Sequence, residues 1–193
     1  MKIVCVDGSR VDGTVPFAIK PASALLLPHN PFFCPDFAGS VTARMGGVVR
    51  ISKPGRSVAR KFAPRHYDSF AVALNMVADD LLDFCFANRL PLDMATSFDS
   101  SFPVSKFMGI NDLDAGLGQI SLSWMKNGAL QDECLMGLLE PGFDEALAAV
   151  SQYVTLREGD YVFVPSRVAC GVGIGDNVEL RVNDVAVMRF AVK

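Results

Sequence analysis

Apolar and polar positions alternate most regularly in two stretches of the chain. From Ser69 to Met76, Phe70, Val72, Leu74 and Met76 recur with period two, which predicts a strand with Asn75 on its other face. Ile120, Leu122 and Trp124 alternate with Ser121 and Ser123 as far as Asn127-Gly128. That dipeptide favours a type I′ turn, because both of its residues tolerate positive φ, so a hairpin is expected there. Val178 to Val182 and Val185 to Val192 predict another hairpin, through Asn183-Asp184. Shorter apolar runs cover Lys2 to Val6, ended by the Asp7-Gly8-Ser9 turn signal, and Val15 to Ile19, stopped by Lys20-Pro21. A further one, Tyr161 to Val164, is entered through Arg157-Glu158-Gly159-Asp160.

The stretch from Ser40 to Ile51 breaks the regularity. Val41 and the group Val48, Val49 and Ile51 have the β-branched character of strand residues, but Arg44, Gly46 and Gly47 interrupt them. Glycine within a strand marks a bulge or the close approach of another backbone or a ligand. A central strand is therefore expected to cross an unusual place here, with one cation and two missing side chains.

Two segments carry helical periodicity. In Asp79 to Arg89, Leu81, Leu82, Cys85 and Phe86 share a face, aspartates open the helix, an arginine closes it and Pro91 ends it. In Phe143 to Val154, Leu147, Val150 and Tyr153 share a face. Pro28, Pro31 and Pro35 punctuate a loop, and Leu92 to Gly109 is loop-like. Many short strands with two or so modest helices predict a β-rich α+β fold in a single domain, 1–193, without internal repeats.

Half of the 193 residues are apolar and a fifth are charged, enough for a substantial core. The net charge of -3 argues against a nucleic-acid partner. Residues 37–67 contain no acidic residue, yet Arg44, Arg50, Lys53, Arg56, Arg60, Lys61 and Arg65 are basic. Without interleaved exposed aromatics, this run reads as a solvated hairpin rim with partners elsewhere, not a phosphate patch. The five cysteines, none spaced C-x-x-C, suit buried reduced thiols better than disulfides or a zinc site. No signal peptide is evident, and no apolar run approaches the ~20 residues of a membrane span. The expectation is a soluble cytoplasmic protein with no membrane partner.

Catalytic chemistry finds few candidates. His29 and His66 are isolated in loop contexts and read as surface or capping residues. Gly171-Val172-Gly173-Ile174-Gly175 precedes a strand instead of a helix, so it reads as a turn and not a phosphate loop. Asp79-Asp80 and Asp132-Glu133 are adjacent pairs whose side chains point apart, better explained as a helix start and a hairpin rim.

Several segments, in order, resemble the fumarylacetoacetate hydrolase family over nearly the whole chain. Phe17-Ala18-Ile19-Lys20-Pro21 is similar to its F-x-K-P, and Ser97-Phe98-Asp99-Ser100-Ser101 to its S/K-x-F-D segment. Glu158 to Phe163, the turn that follows, and Gly175 to Leu180 are similar to its closing G-D-x-I, G-T-P-x-G-V-G and G-D-x-V-E elements. The resemblance implies a β-sandwich roll of mixed strands, usually a homodimer. Its members are hydrolases, isomerases or decarboxylases of keto acids that hold Mg²⁺ or Mn²⁺ on a set of carboxylates. Carried over residue by residue, the family's H-x-E-x-E falls on Thr42, Arg44 and Gly46, and its next aspartate falls on Asn75. Its lysine falls near Thr96, and its G-T-P loop on Pro165-Ser166-Arg167. The segment that carries its lid histidine and glutamate is shortened between Gly8 and Phe17.

Hard cations want charged oxygen ligands. A guanidinium cannot deprotonate, and like charges ~4 Å apart repel by about 4 kcal/mol at an effective dielectric near 20. The substitutions therefore imply a degenerate metal site: no bound metal, no catalytic residue and no cofactor. Arg44, Asn75, Thr96, Ser166 and Arg167 become candidates for ligand binding. Three readings stay open: a pseudoenzyme or dimeric scaffold, a binding module for a small carboxylate held by Arg44, and an active hydrolase or decarboxylase whose Mg²⁺ or Mn²⁺ is held by Asp79, Asp80 or Asp99.

Overall fold

The longest hairpin organises the computed structural model, which describes residues 1–113 and 116–193. The chain begins with β1 (Lys2–Val6), β2 (Phe17–Pro21) and the short β3 (Leu25–Leu26). The hairpin itself is β4 (Val41–Ile51) and β5 (Tyr67–Ala78), joined by residues 52–66. After it come α1 (Asp79–Asn88), α2 (Asp93–Thr96) and the two-residue strands β6 (Phe102–Pro103) and β7 (Met108–Gly109). A second hairpin, β8 (Ser121–Lys126) with β9 (Ala129–Leu135), precedes α3 (Phe143–Tyr153). The chain closes with β10 (Tyr161–Val172), β11 (Asn177–Val182) and β12 (Val185–Ala191).

These strands form a six-stranded sheet in the order β2-β1-β10-β4-β5-β7 and a four-stranded sheet in the order β12-β11-β8-β9. A small parallel pair, β3-β6, lies beside them. The larger sheet is mixed, since β1 runs parallel to β10 while its other pairs are antiparallel. Its one face, with Met45, Val49, Val72 and Leu74, belongs to the same core as Leu122, Trp124 and Leu180 of the smaller sheet and Leu147 and Val150 of α3. The opposite face is apolar around Ile3, Val48, Ala71, Ala73 and Phe163. This is the β-rich α+β sandwich expected from the sequence, with α2 only a single turn.

The turn chemistry holds where it was read. Asn127 and Gly128 take φ of 53° and 81°, and Asn183 and Asp184 take 47° and 65°. Several other expectations are corrected. Lys20 and Pro21 do not stop a strand but lie within β2. That strand is at the sheet edge, where a missing proline N–H costs no ladder bond. The loop-like stretch from Leu92 to Gly109 contains α2, β6 and β7. Phe86 is exposed, not buried with Cys85, because α1 sits at the end of β5 and only a narrow stripe of it is covered. Tyr153 is likewise exposed, its ring 5.8 Å from that of Phe17.

The basic run finds acidic partners outside itself, as expected: Arg50 with Asp68 at 3.7 Å and Arg60 with Glu145 at 3.4 Å. One exposed aromatic does lie within it, contrary to expectation. Phe62 has Lys61 and Arg65 over its ring at 5.0 and 5.2 Å.

The glycines of β4 mark a close approach of other chain segments. A Cβ on Gly46 would lie 2.2 Å from the Val164 carbonyl oxygen and 2.6 Å from the Phe163 ring. At Gly47 it would meet Met136 Cε and Phe143 Cζ at 2.8 Å, side-chain atoms only. Backbone cannot yield as a side-chain tip can. Gly46→Ala is therefore expected to cost about 2–4 kcal/mol and Gly47→Ala about 1 kcal/mol. Urea midpoints at unchanged slope check this, and equal losses would contradict it.

Candidate functional site

The second face of the large sheet changes character along its length. Arg44 pairs across the ladder with Asn75 of β5 and Ala169 of β10, and Thr42 pairs with Val77 and Gly171. Gly46 pairs with Ala73 and Pro165. Between Pro165 and Ala169 the register shifts, so three residues of β10 stand against one of β4. Such a bulge re-aims side chains. Here it opens the sheet surface into a cleft of about 420 Å³ lined by Cys5, Lys20, Thr42, Arg44, Asn75 and Asp79, among others.

The polar groups of the cleft are unevenly satisfied. Thr42 Oγ1 donates to Asp79 Oδ1 at 2.8 Å. The Arg44 guanidinium, 40% exposed, lies 4.0 Å from Asp7 Oδ1, a loose ion pair that leaves most of its donors without a partner among the described residues. Asn75 Oδ1 is buried and, among the described residues, has no hydrogen-bond partner. Thr96 Oγ1 donates to Leu92 O at 3.1 Å, so it turns back on its own helix at the cleft edge.

Lys20 is the unexpected member. It is 1% exposed, and its ammonium donates to Met76 O at 3.0 Å and Ser101 O at 3.2 Å, with Ser101 Oγ at 2.9 Å. Burial lowers its pKa to about 8, with a small opposing effect from Cys5. Burial also pushes the Cys5 thiol up to about 12, despite nearby Lys20, so this cysteine is no nucleophile at neutral pH.

The candidates from the sequence do not all converge. Arg44, Asn75 and Thr96 line this cleft, whereas Ser166 and Arg167 line a neighbouring one of about 850 Å³. Arg44, Asp7 and Pro165 are common to both, so Arg44 stands on the wall between them. Ser166 Oγ is buried without a partner among the described residues, and exposed Arg167 donates to Glu140 Oε2 at 3.0 Å. The acidic alternatives disperse. Asp79 reaches the cleft, but Asp80 accepts from the N–H groups of Gly39 and Ser40 at 2.8 and 3.3 Å, which hold it below the usual carboxylate range. Asp99 lies in a separate recess with Phe33 and Phe98. Among the described residues, no three His, Cys, Asp or Glu side chains are grouped to hold a metal.

His29 is exposed, and His66 Nδ1 lies 2.9 Å from Lys53 O at the end of a 3₁₀ turn, so both are the surface or capping residues expected. Of the turn expected over Gly171 to Gly175, only Gly173 to Gly175 form one, with Gly175 at φ 93°, while Gly171 and Val172 belong to the end of β10. No described helix is long and apolar enough to cross a membrane. Sequence reading missed Lys20 and gave Asp79 only as a rearranged metal ligand. Two signals marked Lys20: a lone cation within the apolar run from Phe17 to Pro21, and the lysine of the F-x-K-P resemblance.

The family signature for the fumarylacetoacetate hydrolase C-terminal domain matches residues 9–193. Mouse mitochondrial oxaloacetate tautomerase FAHD1 is 28% identical over 178 residues, 91% of this chain and 79% of that protein. The fumarylpyruvate hydrolase of Pseudomonas aeruginosa, solved with Mn²⁺ and pyruvate, superposes with a TM-score of 0.88 at 20% identity. That match covers 100% of this chain and 88% of the other. The 2-hydroxyhepta-2,4-diene-1,7-dioate isomerase of Mycobacterium marinum gives 0.85 at 20% identity, over 99% and 73% of the two chains.

The buried lysine generates a stability prediction. Its folded pKa lies below its ordinary 10.5, so between about 8 and 10.5 the unfolded chain holds the extra proton and this group adds stability as pH rises. Cys5, shifted from 9.0 up to about 12, acts in the opposite sense over its own window, so the difference between variants is the useful readout. The stability of Lys20→Met minus that of the unaltered chain should rise by up to about 3 kcal/mol from pH 10.5 to pH 8. A gap that is flat with pH in denaturant titrations would refute it.

Proposed function

We propose a metal-independent role on one premise: this chain belongs to the fumarylacetoacetate hydrolase family, yet its cleft is furnished for an anion and not for a cation. The protein binds a small carboxylate, with the Arg44 guanidinium as its charge partner, and does not run the family's metal-dependent hydrolase, isomerase or decarboxylase reaction. The carrying observation is Arg44 itself, on the cleft wall directly across the ladder from Asn75, whose amide oxygen has no partner among the described residues.

A divalent ion of the Mg²⁺ or Mn²⁺ type needs about six oxygen ligands, preferably charged. At the positions the resemblance assigns to metal ligands the cleft offers a hydroxyl, a neutral amide and a guanidinium, and its two carboxylates are engaged elsewhere, Asp79 with Thr42 and Asp7 with Arg44. At Gly46, where the resemblance calls for another carboxylate, the Phe163 ring and the Val164 carbonyl occupy the space a side chain would need. These residues do not fit the ion. They do suit an anion, since a guanidinium binds a carboxylate through two parallel N–H···O bonds. Rotating the Asn75 amide by half a turn would add N–H donors beside it.

The relatives named as an oxaloacetate tautomerase and a fumarylpyruvate hydrolase point to small 2-oxo acids and dicarboxylates as the ligand class. A homodimer and a cytoplasmic location complete the reading, and a monomer mass on sedimentation would reject the dimer.

Two measurements test the function. The purified protein should carry well under one equivalent of Mg²⁺ or Mn²⁺ and turn over neither oxaloacetate nor acylpyruvates in response to either ion. Dicarboxylates at ~100 times Kd should raise the melting temperature by roughly 5 °C, and Arg44→Ala should abolish the rise. Stoichiometric bound metal, metal-dependent turnover, or no shift with any acid would overturn the proposal.

A further inference from the structure

We propose that Lys20 is an amine nucleophile that forms an imine with the keto carbon of a 2-oxo acid seated on Arg44. The inference rests on the anion-binding reading and extends it from binding to covalent chemistry.

Placement comes first. In the ladder Lys20 stands opposite Ile3, on the sheet face that also carries Cys5, Arg44 and Asn75, and it lines the same cleft as those three. A buried ammonium ordinarily has a carboxylate partner. Lys20 has none among the described residues: its partners are two carbonyls and one hydroxyl, and the Phe98 ring centroid lies 5.9 Å away. A lysine held among neutral groups beside a cleft is in the environment that turns an amine into a nucleophile.

The hydrogen-bond arithmetic favours the neutral amine. An ammonium would donate to Met76 O, Ser101 O and Ser101 Oγ, leaving the hydroxyl hydrogen of fully buried Ser101 without an acceptor among the described residues. A neutral amine donates to the two carbonyls and accepts from that hydroxyl, so every polar hydrogen is used. Burial acts in the same direction, lowering the pKa to about 8. Arg44 supplies the second requirement, a fixed charge in the same cleft for the acid's carboxylate.

The chemistry needs no metal and no redox partner. Nitrogen attacks the keto carbon, the carbonyl π pair moves to oxygen and is protonated, and loss of water gives the protonated imine. If the acid carries a second carboxylate on carbon 3, the bond between them breaks and CO₂ leaves. Its electron pair moves toward the imine nitrogen, and the resulting enamine takes a proton at carbon 3. Water then hydrolyses the imine, which frees the shortened oxo acid and returns the amine.

Trapping with sodium borohydride in the presence of pyruvate tests the step, read by intact mass and peptide mapping. The expected result is one reduced pyruvyl group per chain, located on Lys20, absent in Lys20→Met and at least about tenfold weaker in Arg44→Ala. The map is made on the unaltered chain, so a variant that fails to fold cannot decide the outcome. No adduct, or an adduct only on the N-terminus or spread over surface lysines as in a urea-unfolded control, overturns the proposal. Malonate, which has no keto group, separates the two readings. A thermal shift with malonate but no pyruvyl adduct leaves the anion site standing and removes the imine. Neither shift nor adduct removes both.

Discussion

The close approach of β10 to β4 at Gly46 is the constraint on which the cleft depends. The Val164 carbonyl and the Phe163 ring occupy the volume a side chain at position 46 would need, and Phe163 packs edge-on against Phe102 at 5.4 Å. This contact belongs to the apolar core on that face of the sheet, which ends there. Past it, β10 bulges away and the same face becomes polar. One backbone contact therefore marks the boundary between core and site. It also explains why the strand can be glycine at that point without fraying, since the lost side chain is replaced by a neighbour's ring.

Charge in the cleft follows from which groups can reach water. Arg44 is a fixed cation, partly exposed and loosely opposed by Asp7. Lys20 is sealed against Met76 and Ser101, where the charged form loses its hydration and gains no counter-ion among the described residues. Two basic residues on one face are thus set apart, one a fixed cation and one an ammonium whose proton is lost at about 8, well below its ordinary range. Environments that separate the protonation states of neighbouring groups are the usual physical basis for dividing binding from chemistry within one site.

Much of the fold was legible in local chemistry. Asn127-Gly128 and Asn183-Asp184 announced their hairpins because few residue pairs tolerate two positive φ values in succession. The alternation in β5 placed Asn75 apart from Leu74 and Met76, as the structure does. Less was legible where a helix meets little of the protein. The periodicity of α1 could not say that Phe86 would face outward, because a pattern records which residues could be buried together and not which neighbour arrives to cover them. The candidate site was half legible. Arg44, Asn75 and Thr96 lay at positions a family resemblance picked out, whereas the bulge between Pro165 and Ala169 put Ser166 and Arg167 in the adjoining cleft.

By itself, the sequence determined the strand and turn tendencies, the acidic balance of the chain and the residue types at each site position, since these are properties of single residues and near neighbours. Tertiary structure alone decided the pairing of β1 with β10, where the Lys2 N–H donates to Asp160 Oδ1 at 2.9 Å across 158 positions. It also decided that Phe163 fills the space over Gly46, and that Lys20 lies within β2 and lines the cleft instead of ending a strand. The physical reason is common to all three. A volume is filled, or a proton held, by groups brought together from remote parts of the chain, and only packing sets their distances.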